Sequence, residues 1–240
     1  MKLIIVRHGD PDYSIDSLTE KGKREAQLLV DRMKKINPTY CYCSPYGRAK
    51  DTAKYSLDAL NMEAEIFDWM REFDCDVTLP SGITKNHCWD IMPKDFVSKD
   101  EFFTYDNWYD GYVSHDGLNK RYNEVVNGLD ELLSKHGYNR DGKLYKAVKP
   151  NADTVVLFCH FGVESIMLSH LLNIPPLTLL QGTIALPTSV TTLCTEERQD
   201  GIAYFRMSSF GDISHLYVAD EPPAFSGRFC ELYTNTEERH

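Results

Sequence analysis

The chain has 240 residues, 42% of them apolar and 26% charged, which is enough for one sizeable α/β domain with its own core. A formal net charge of −10 disfavours nucleic acid and anionic membrane as partners. No apolar run approaches the roughly 20 residues that a membrane span needs.

Residues 3–6 form an apolar run that stops at Arg7-His8-Gly9. The spacing predicts a buried strand with polar groups at the carboxyl edge of a sheet, where open α/β sheets bind ligands. Taken alone, the tripeptide reads equally well as a strand with a polar end. The strand starts at once, so no signal peptide is expected. A polar loop over 10–18 leads to Thr19, an N-cap candidate followed by Glu20. Ala26, Leu29, Val30 and Met33 then recur at helical spacing, so a helix is expected over 20–35, ended by Asn37-Pro38. A second strand is expected over 40–43, with Cys41 and Cys43 on one core-facing side. Ser44-Pro45 opens the next helix and puts Arg48 in its first turn, where helix amides favour an anion. A third strand over 64–67 leads to Asp68-Trp69-Met70-Arg71-Glu72.

Residues 73–117 break the helical pattern, holding Pro80, Pro93 and many aromatics, among them Trp89, Phe102, Trp108 and Tyr112. A loop this long is functional or disordered, and so many aromatics argue against disorder. Its acids are Asp74, Asp76, Asp90, Asp95, Asp100, Glu101, Asp106, Asp110 and Asp116, against Lys85, Lys94 and Lys99. His87, Cys88 and His115 lack metal-ligand spacing, so no metal is expected there. A helix from Leu118 ends near Gly137, and 138–152 reads as a surface loop. Residues 154–159 then repeat the opening grammar, an apolar run followed by His160-Phe161-Gly162. A helix over 163–171 is stopped by Pro175-Pro176, with His170 a structural histidine on its apolar side. Two strands, 189–195 and 202–207, precede Ser214-His215-Leu216. The cysteines, 41, 43, 75, 88, 159, 194 and 230, are odd in number and form no C-x-x-C pair, which fits reduced thiols in a cytoplasmic protein.

Arg7-His8-Gly9, the run Ser44-Pro45-Tyr46-Gly47-Arg48-Ala49-Lys50-Asp51-Thr52-Ala53, and His160-Phe161-Gly162 occur in that order. Together they resemble the histidine phosphatase superfamily, which includes the cofactor-dependent phosphoglycerate mutases. The resemblance covers roughly 1–72 and 150–218, and Ser214-His215-Leu216 resembles the family's closing His-Leu. It implies a single domain over 1–240: a three-layer α/β/α sandwich with a mostly parallel central sheet and a cap segment inserted at 73–117. It also implies a metal-independent phosphomonoesterase, without a cofactor, acting through phosphohistidine on a small phosphorylated metabolite. His8 is then the nucleophile, and Arg7, Arg48 and a protonated His160 bind the phosphate with the Phe161-Gly162 amides. Glu72 is the proton donor, with Asp10 and Asp74 as rivals. Spacing alone does not separate His8 from His160.

Three departures bear on activity. Asp10-Pro11 follows Gly9 where the family frequently has Glu, and Phe161 stands where Gly is frequent. Thr19 follows Gly9 after only ten positions, so the longer Asn-containing stretch of the mutases is absent. This favours a phosphatase over phosphoglycerate mutase-type transfer, and intact Arg7, His8, Arg48 and His160 disfavour a non-catalytic phospho-ligand binding module. The acidic, aromatic cap predicts preference for aryl or sugar monophosphates over bisphosphates. The oligomeric state is not legible.

Overall fold

The structure, a computed structural model, describes residues 1–85, 87–113, 115, 117–228 and 231–239; Asp116 and Cys230 lie outside the described residues. Its centre is an eight-stranded sheet. In chain order the strands are β1 (Lys2–Arg7), β2 (Tyr40–Cys43), β3 (Glu65–Ile66), β4 (Tyr138–Asp141), β5 (Leu144–Ala147), β6 (Thr154–Cys159), β7 (Val190–Gln199) and β8 (Ile202–Asp212). The spatial order is β3-β2-β6-β1-β7-β8-β5-β4.

The sheet is mixed. Pairing is parallel from β3 through β2 and β6 to β1, the part that carries the predicted motifs. Beyond β1 every pairing is antiparallel. For β7 with β8 the reason is local: they are joined through Asp200-Gly201, and so short a turn can only reverse the chain.

Alternation along β1 sets the layers. Ile4 and Val6 pack with Leu29, Met33, Ala49 and Ala53 of helices Glu20–Ile36 and Gly47–Leu60. Leu3 and Ile5 belong to the opposite layer, with Leu129 and Leu133 of helix Leu118–Lys135 and Ile166 and Met167 of helix Phe161–Leu172. The expected α/β sandwich is thus present, with helices on both faces. Thr19 caps the first helix by accepting from the Gly22 amide at 3.0 Å. Among the described residues no helix is long and apolar enough to cross a membrane.

Four expectations need correction. Residues 138–147 form the hairpin of β4 and β5 rather than a surface loop, because Tyr138 and Tyr145 alternate inward and are fully buried. The second helix begins at Gly47, past Pro45. The helix after β6 begins at Phe161, since the His160 carbonyl already accepts the Glu164 amide at 3.0 Å. Pro175-Pro176 stops that helix but also opens Pro176–Gly182, with a proline in its first turn.

In the 73–117 segment a two-strand ladder pairs Val77–Thr78 with Thr84–Lys85, and short helical turns cover Pro93–Phe96, Asp100–Phe103 and Trp108–Gly111. Phe73, Phe102 and Trp108 are fully buried in the same core cluster as Leu3 and Ile5. The segment therefore packs on the domain and not only on itself.

Candidate active site

β1 and β6 are neighbours in register, with Arg7 opposite Cys159, so the residues after each strand emerge side by side. The His8 and His160 rings lie 5.1 Å apart, tilted by 60°. Both are buried. His8 Nδ1 lies 2.8 Å from the Gly9 carbonyl oxygen. A carbonyl only accepts, so Nδ1 carries the hydrogen and the lone pair of a neutral ring is left on Nε2. Burial first, then the Arg7 charge, holds the His8 pKa well below the ordinary imidazole value, against the Gly9 bond that raises it. His160 Nε2 lies 2.7 Å from Ser44 Oγ, and its Nδ1 is buried without a hydrogen-bond partner. Burial, and then His8 and the two arginines, holds His160 well below the ordinary value too. The expected protonated His160 is therefore disfavoured before an anion arrives; a neutral ring still donates through one nitrogen.

Arg7 is buried, and its Nη1 donates to the Ala185 carbonyl. Gly227 closes against it with φ +77°; a Cβ there would meet Arg7 Nη2 at 2.9 Å, so only glycine fits. Arg48 is anchored by Asp16, which accepts from Arg48 Nη1 at 2.6 Å and from the Gly47 amide at 2.7 Å. Its guanidinium lies 4.8 Å from the Tyr46 ring centre and 5.5 Å from that of Tyr13. Tyr46 in turn meets the His160 ring edge-on at 5.3 Å.

Glu72 Oε1 accepts from the Phe73 amide at 2.7 Å and from the Val163 amide at 3.1 Å. Burial pushes its carboxyl above the ordinary range, against the two amides and Arg7, which pull it down. Gly162 makes this approach possible: a Cβ there would lie 2.6 Å from Trp89 and 2.8 Å from Glu72 Oε1. Of the rivals, Asp10 is committed to Thr19 Oγ1 at 2.7 Å and to Ser226 Oγ, whereas Asp74 is exposed at the cleft.

Arg7, Arg48, Glu72 and Phe161 line one cleft of about 350 Å³ with Tyr13, Tyr46, Asp74, His87, Trp89 and Gly227. The Phe161 side chain is buried, its ring edge-on to Trp89 at 6.3 Å, and Trp89 stacks on His87 at 4.7 Å. Ser44, Asp16, Tyr13 and Gly227 were not singled out in the sequence as site residues. Ser44 and Tyr46 lie inside the quoted motif and could have been found there; Asp16 and Gly227 carry no local signal. His215 bonds Thr188 Oγ1 at 3.1 Å, and the Thr188 amide donates to the His8 carbonyl at 3.2 Å, so His215 braces the loop behind His8. His170 is held by Asp130 at 2.9 Å. Among the described residues no three His, Cys, Asp or Glu side chains gather as metal ligands would.

Two buried histidines and two arginines thus gather at one edge of an α/β sheet, where its parallel strands end. The chain belongs to the histidine phosphatase superfamily (branch 1), whose family model matches residues 3–206. A phosphoserine phosphatase of Hydrogenobacter thermophilus is 26% identical over 150 residues, 57% of this chain and 66% of that protein. A 2,3-bisphosphoglycerate-dependent phosphoglycerate mutase of Thermoplasma acidophilum is 34% identical over 70 residues, 25% of this chain and 35% of that protein. The match thus falls short of two thirds of either relative's length. Among solved structures, a phosphoserine phosphatase of Entamoeba histolytica in complex with phosphoserine superposes with a TM-score of 0.60 at 19% identity, covering 90% of this chain and 98% of that one. A mycobacterial glucosyl-3-phosphoglycerate phosphatase gives 0.56 at 19%, covering 88% and 98%. At these identities the structures show a shared fold.

Proposed function

We propose that the protein is a metal-independent phosphomonoesterase that passes through a phosphohistidine on His8. The observation that carries this is the Gly9 carbonyl on His8 Nδ1, which leaves a neutral Nε2 on a ring that feels the charges of Arg7 and Arg48. His8 Nε2 attacks phosphorus, Arg7 and Arg48 match the equatorial oxygens, and His160 donates to a third position. Glu72, whose carboxyl burial keeps protonated to a higher pH, gives its proton to the departing alkoxide. The resulting carboxylate then takes a proton from the water that hydrolyses phosphohistidine. A pure binding module has no use for the bare Nε2.

The cleft volume suits a small phosphorylated metabolite. Residues 73–117 supply Asp74, His87 and Trp89 to its wall, which supports reading them as a cap within a single domain. Asp74 lines the cleft, and among the described residues Arg7 and Arg48 are the only Lys or Arg in that lining, so a second anionic group on the substrate meets a like charge there without a further Lys or Arg. Monophosphates with a flat or apolar leaving group are favoured over bisphosphates. The described cysteines are free thiols, which supports a cytoplasmic location.

The test is phosphate release, with EDTA present, from a panel holding nitrophenyl, sugar and glyceryl phosphates, phosphoserine and a bisphosphate. Acid and base quenches of a labelled single turnover accompany it. Expected are turnover that survives EDTA and a protein-bound label stable in base and lost in acid. Loss of turnover on chelation, restored by a divalent ion, overturns the metal-free mechanism; absence of the label overturns phosphohistidine.

A further inference from the structure

The segment 219–228, which follows the short helix Ser214–Val218, reaches the cleft wall at Gly227. It lies as a strap against the first two turns of helix Glu20–Ile36, where a carboxylate with no part in the chemistry above holds it. Glu25 is fully buried. Its Oε1 accepts the Ala224 amide at 2.9 Å, and its Oε2 accepts the Asp10 amide at 3.1 Å. Main-chain amides only donate, so the form that fits is the carboxylate, with an acceptor on each oxygen. Burial pushes the carboxyl up, and the two amides and Lys21 pull it back down. Lys21 Nζ lies 3.8 Å from Glu25 Oε1 and donates to Glu221 Oε1 at 2.7 Å and to the Pro222 carbonyl, which adds a charged pin on the strap.

The two segments that Glu25 joins both border the phosphate pocket. Asp10 follows His8-Gly9, and Ala224 stands three residues before Gly227, whose missing Cβ makes room for Arg7 Nη2. Ser226 Oγ donates to Asp10 Oδ1, a second tie between the same two segments. Arg7 is thus held on two sides, by the Ala185 carbonyl at Nη1 and by the strap at Nη2. Lifting the strap would strip Glu25 Oε1 of its amide inside a buried site, which is costly for a charged acceptor.

We propose that Glu25 is a positioning residue: by tying the strap to the loop after His8, it seats Gly227 against Arg7 and sets the direction in which the guanidinium offers its remaining N–H groups. This rests on the reading of Arg7 as a phosphate ligand. A planar fork must meet the phosphate oxygens in one orientation, so a wall beside it contributes to binding without touching substrate. Of the two segments, the strap depends more on Glu25. The Asp10 carbonyl also accepts the Thr19 amide at 3.0 Å, and its Oδ2 accepts Thr19 Oγ1 at 2.7 Å. Gly22 packs so closely on Asp10 that a Cβ there would collide with the Asp10 main chain. The loop after His8 therefore keeps its place when Glu25 is altered, and the strap gives way first.

Glu25→Gln keeps the shape but has one acceptor oxygen where two are needed, and its amide N–H would face a main-chain N–H. The KM for nitrophenyl phosphate and the inhibition constant of inorganic phosphate should rise together by about 3–10-fold, with kcat changed by less. Backbone hydrogen exchange should quicken over 219–228 and stay slow over 8–12. A merely structural role predicts a lower melting temperature with both constants unmoved below it. Gly227→Ala crowds Arg7 directly and should raise the phosphate constant by itself. Added to Glu25→Gln it should cost much less, because the loosened strap can draw back. Ser226→Ala cuts the second tie and should move both constants the same way by about 2–5-fold; it carries the test if Glu25→Gln does not fold. Unmoved constants in the folded variants, or full additivity of Glu25→Gln with Gly227→Ala, overturn the proposal. If the wild type neither hydrolyses nitrophenyl phosphate nor binds inorganic phosphate, the phosphatase reading fails instead, and hydrogen exchange alone decides whether Glu25 holds the strap.

Discussion

β1 and β6 end alike, in an apolar run, a histidine and a nearby glycine, and their imidazoles are both buried and both held below the ordinary pKa. They differ in the atom across the hydrogen bond. His8 faces a backbone carbonyl, which can only accept. His160 faces the Ser44 hydroxyl, which can donate or accept. The first partner dictates one tautomer and so a bare Nε2; the second leaves the ring free to serve as a donor. Two residues of one type with one burial are thus held differently, by main chain on one side and a side chain on the other.

His8→Ala should show the largest effect if this division holds. Turnover should fall on the order of 10⁴–10⁶-fold, and the base-stable label should disappear while the melting temperature stays near that of wild type. A label that persists in His8→Ala and vanishes in His160→Ala would exchange the roles of the two strand ends. The same division fixes a pH profile. His8 must be neutral to attack, and its lowered pKa puts the acid limb of kcat/KM below the ordinary imidazole value of 6.5. Glu72 must be protonated to donate, and its raised pKa carries activity above the ordinary carboxyl value of 4.5 before the alkaline limb sets in. An acid limb at or above the ordinary imidazole value would contradict the neutral nucleophile.

Glu72 belongs to the β6 side, since the Val163 amide that holds it lies just beyond His160. Glu72→Gln should cost about 10²–10⁴-fold on an alkyl phosphate and much less on a nitrophenyl phosphate, whose leaving group hardly needs a proton. Single-turnover enzyme phosphorylation is the measurement, because it excludes the later step in which the same carboxylate helps water. A selective loss in Asp10→Asn or Asp74→Asn instead would move the donor there. His160→Ala should come next, slowing phosphorylation by about 10²–10³-fold as a removed oxyanion donor does, while the label still forms on His8.

Much of this was readable in advance because strand grammar and capping are local. Residues 3–6 and 154–159 announce buried strands, and Thr19 announces a helix start that its bond to Gly22 realises. The β4-β5 hairpin was hidden because its inward residues are two tyrosines separated by a polar turn, and a tyrosine that buries its ring while bonding Asp130 or Glu197 looks polar in a hydropathy pattern. The histidines, Arg7, Arg48 and Glu72 could be nominated by motif and position. Part of what fixes their state was in view, since Ser44 opens the motif that carries Arg48, but Asp16 and Gly227 come from distant turns of the chain with no local signal.

The smallest expected effect is the most direct probe of the two strand ends. The partner of His8 is main chain and no side-chain substitution removes it, whereas Ser44→Ala deletes the partner of His160 alone. A net hydrogen bond contributes about 0.5–1.5 kcal/mol, so kcat should fall by only about 2–10-fold if the His160 ring keeps its place. Burial remains, so His160 should stay neutral at neutral pH in the variant, and the loss should be of orientation and tautomer rather than of charge. Nitrogen NMR of labelled imidazoles reads this without reference to rate. His8 should show its hydrogen on Nδ1 in wild type and variant alike, while the tautomer balance of His160 shifts when Ser44 is replaced. A His8 ring protonated on Nε2, or one that changes with Ser44→Ala, would mean that the carbonyl does not lock it. The nucleophile would then have to be sought through a proton transfer rather than in a lone pair already bare.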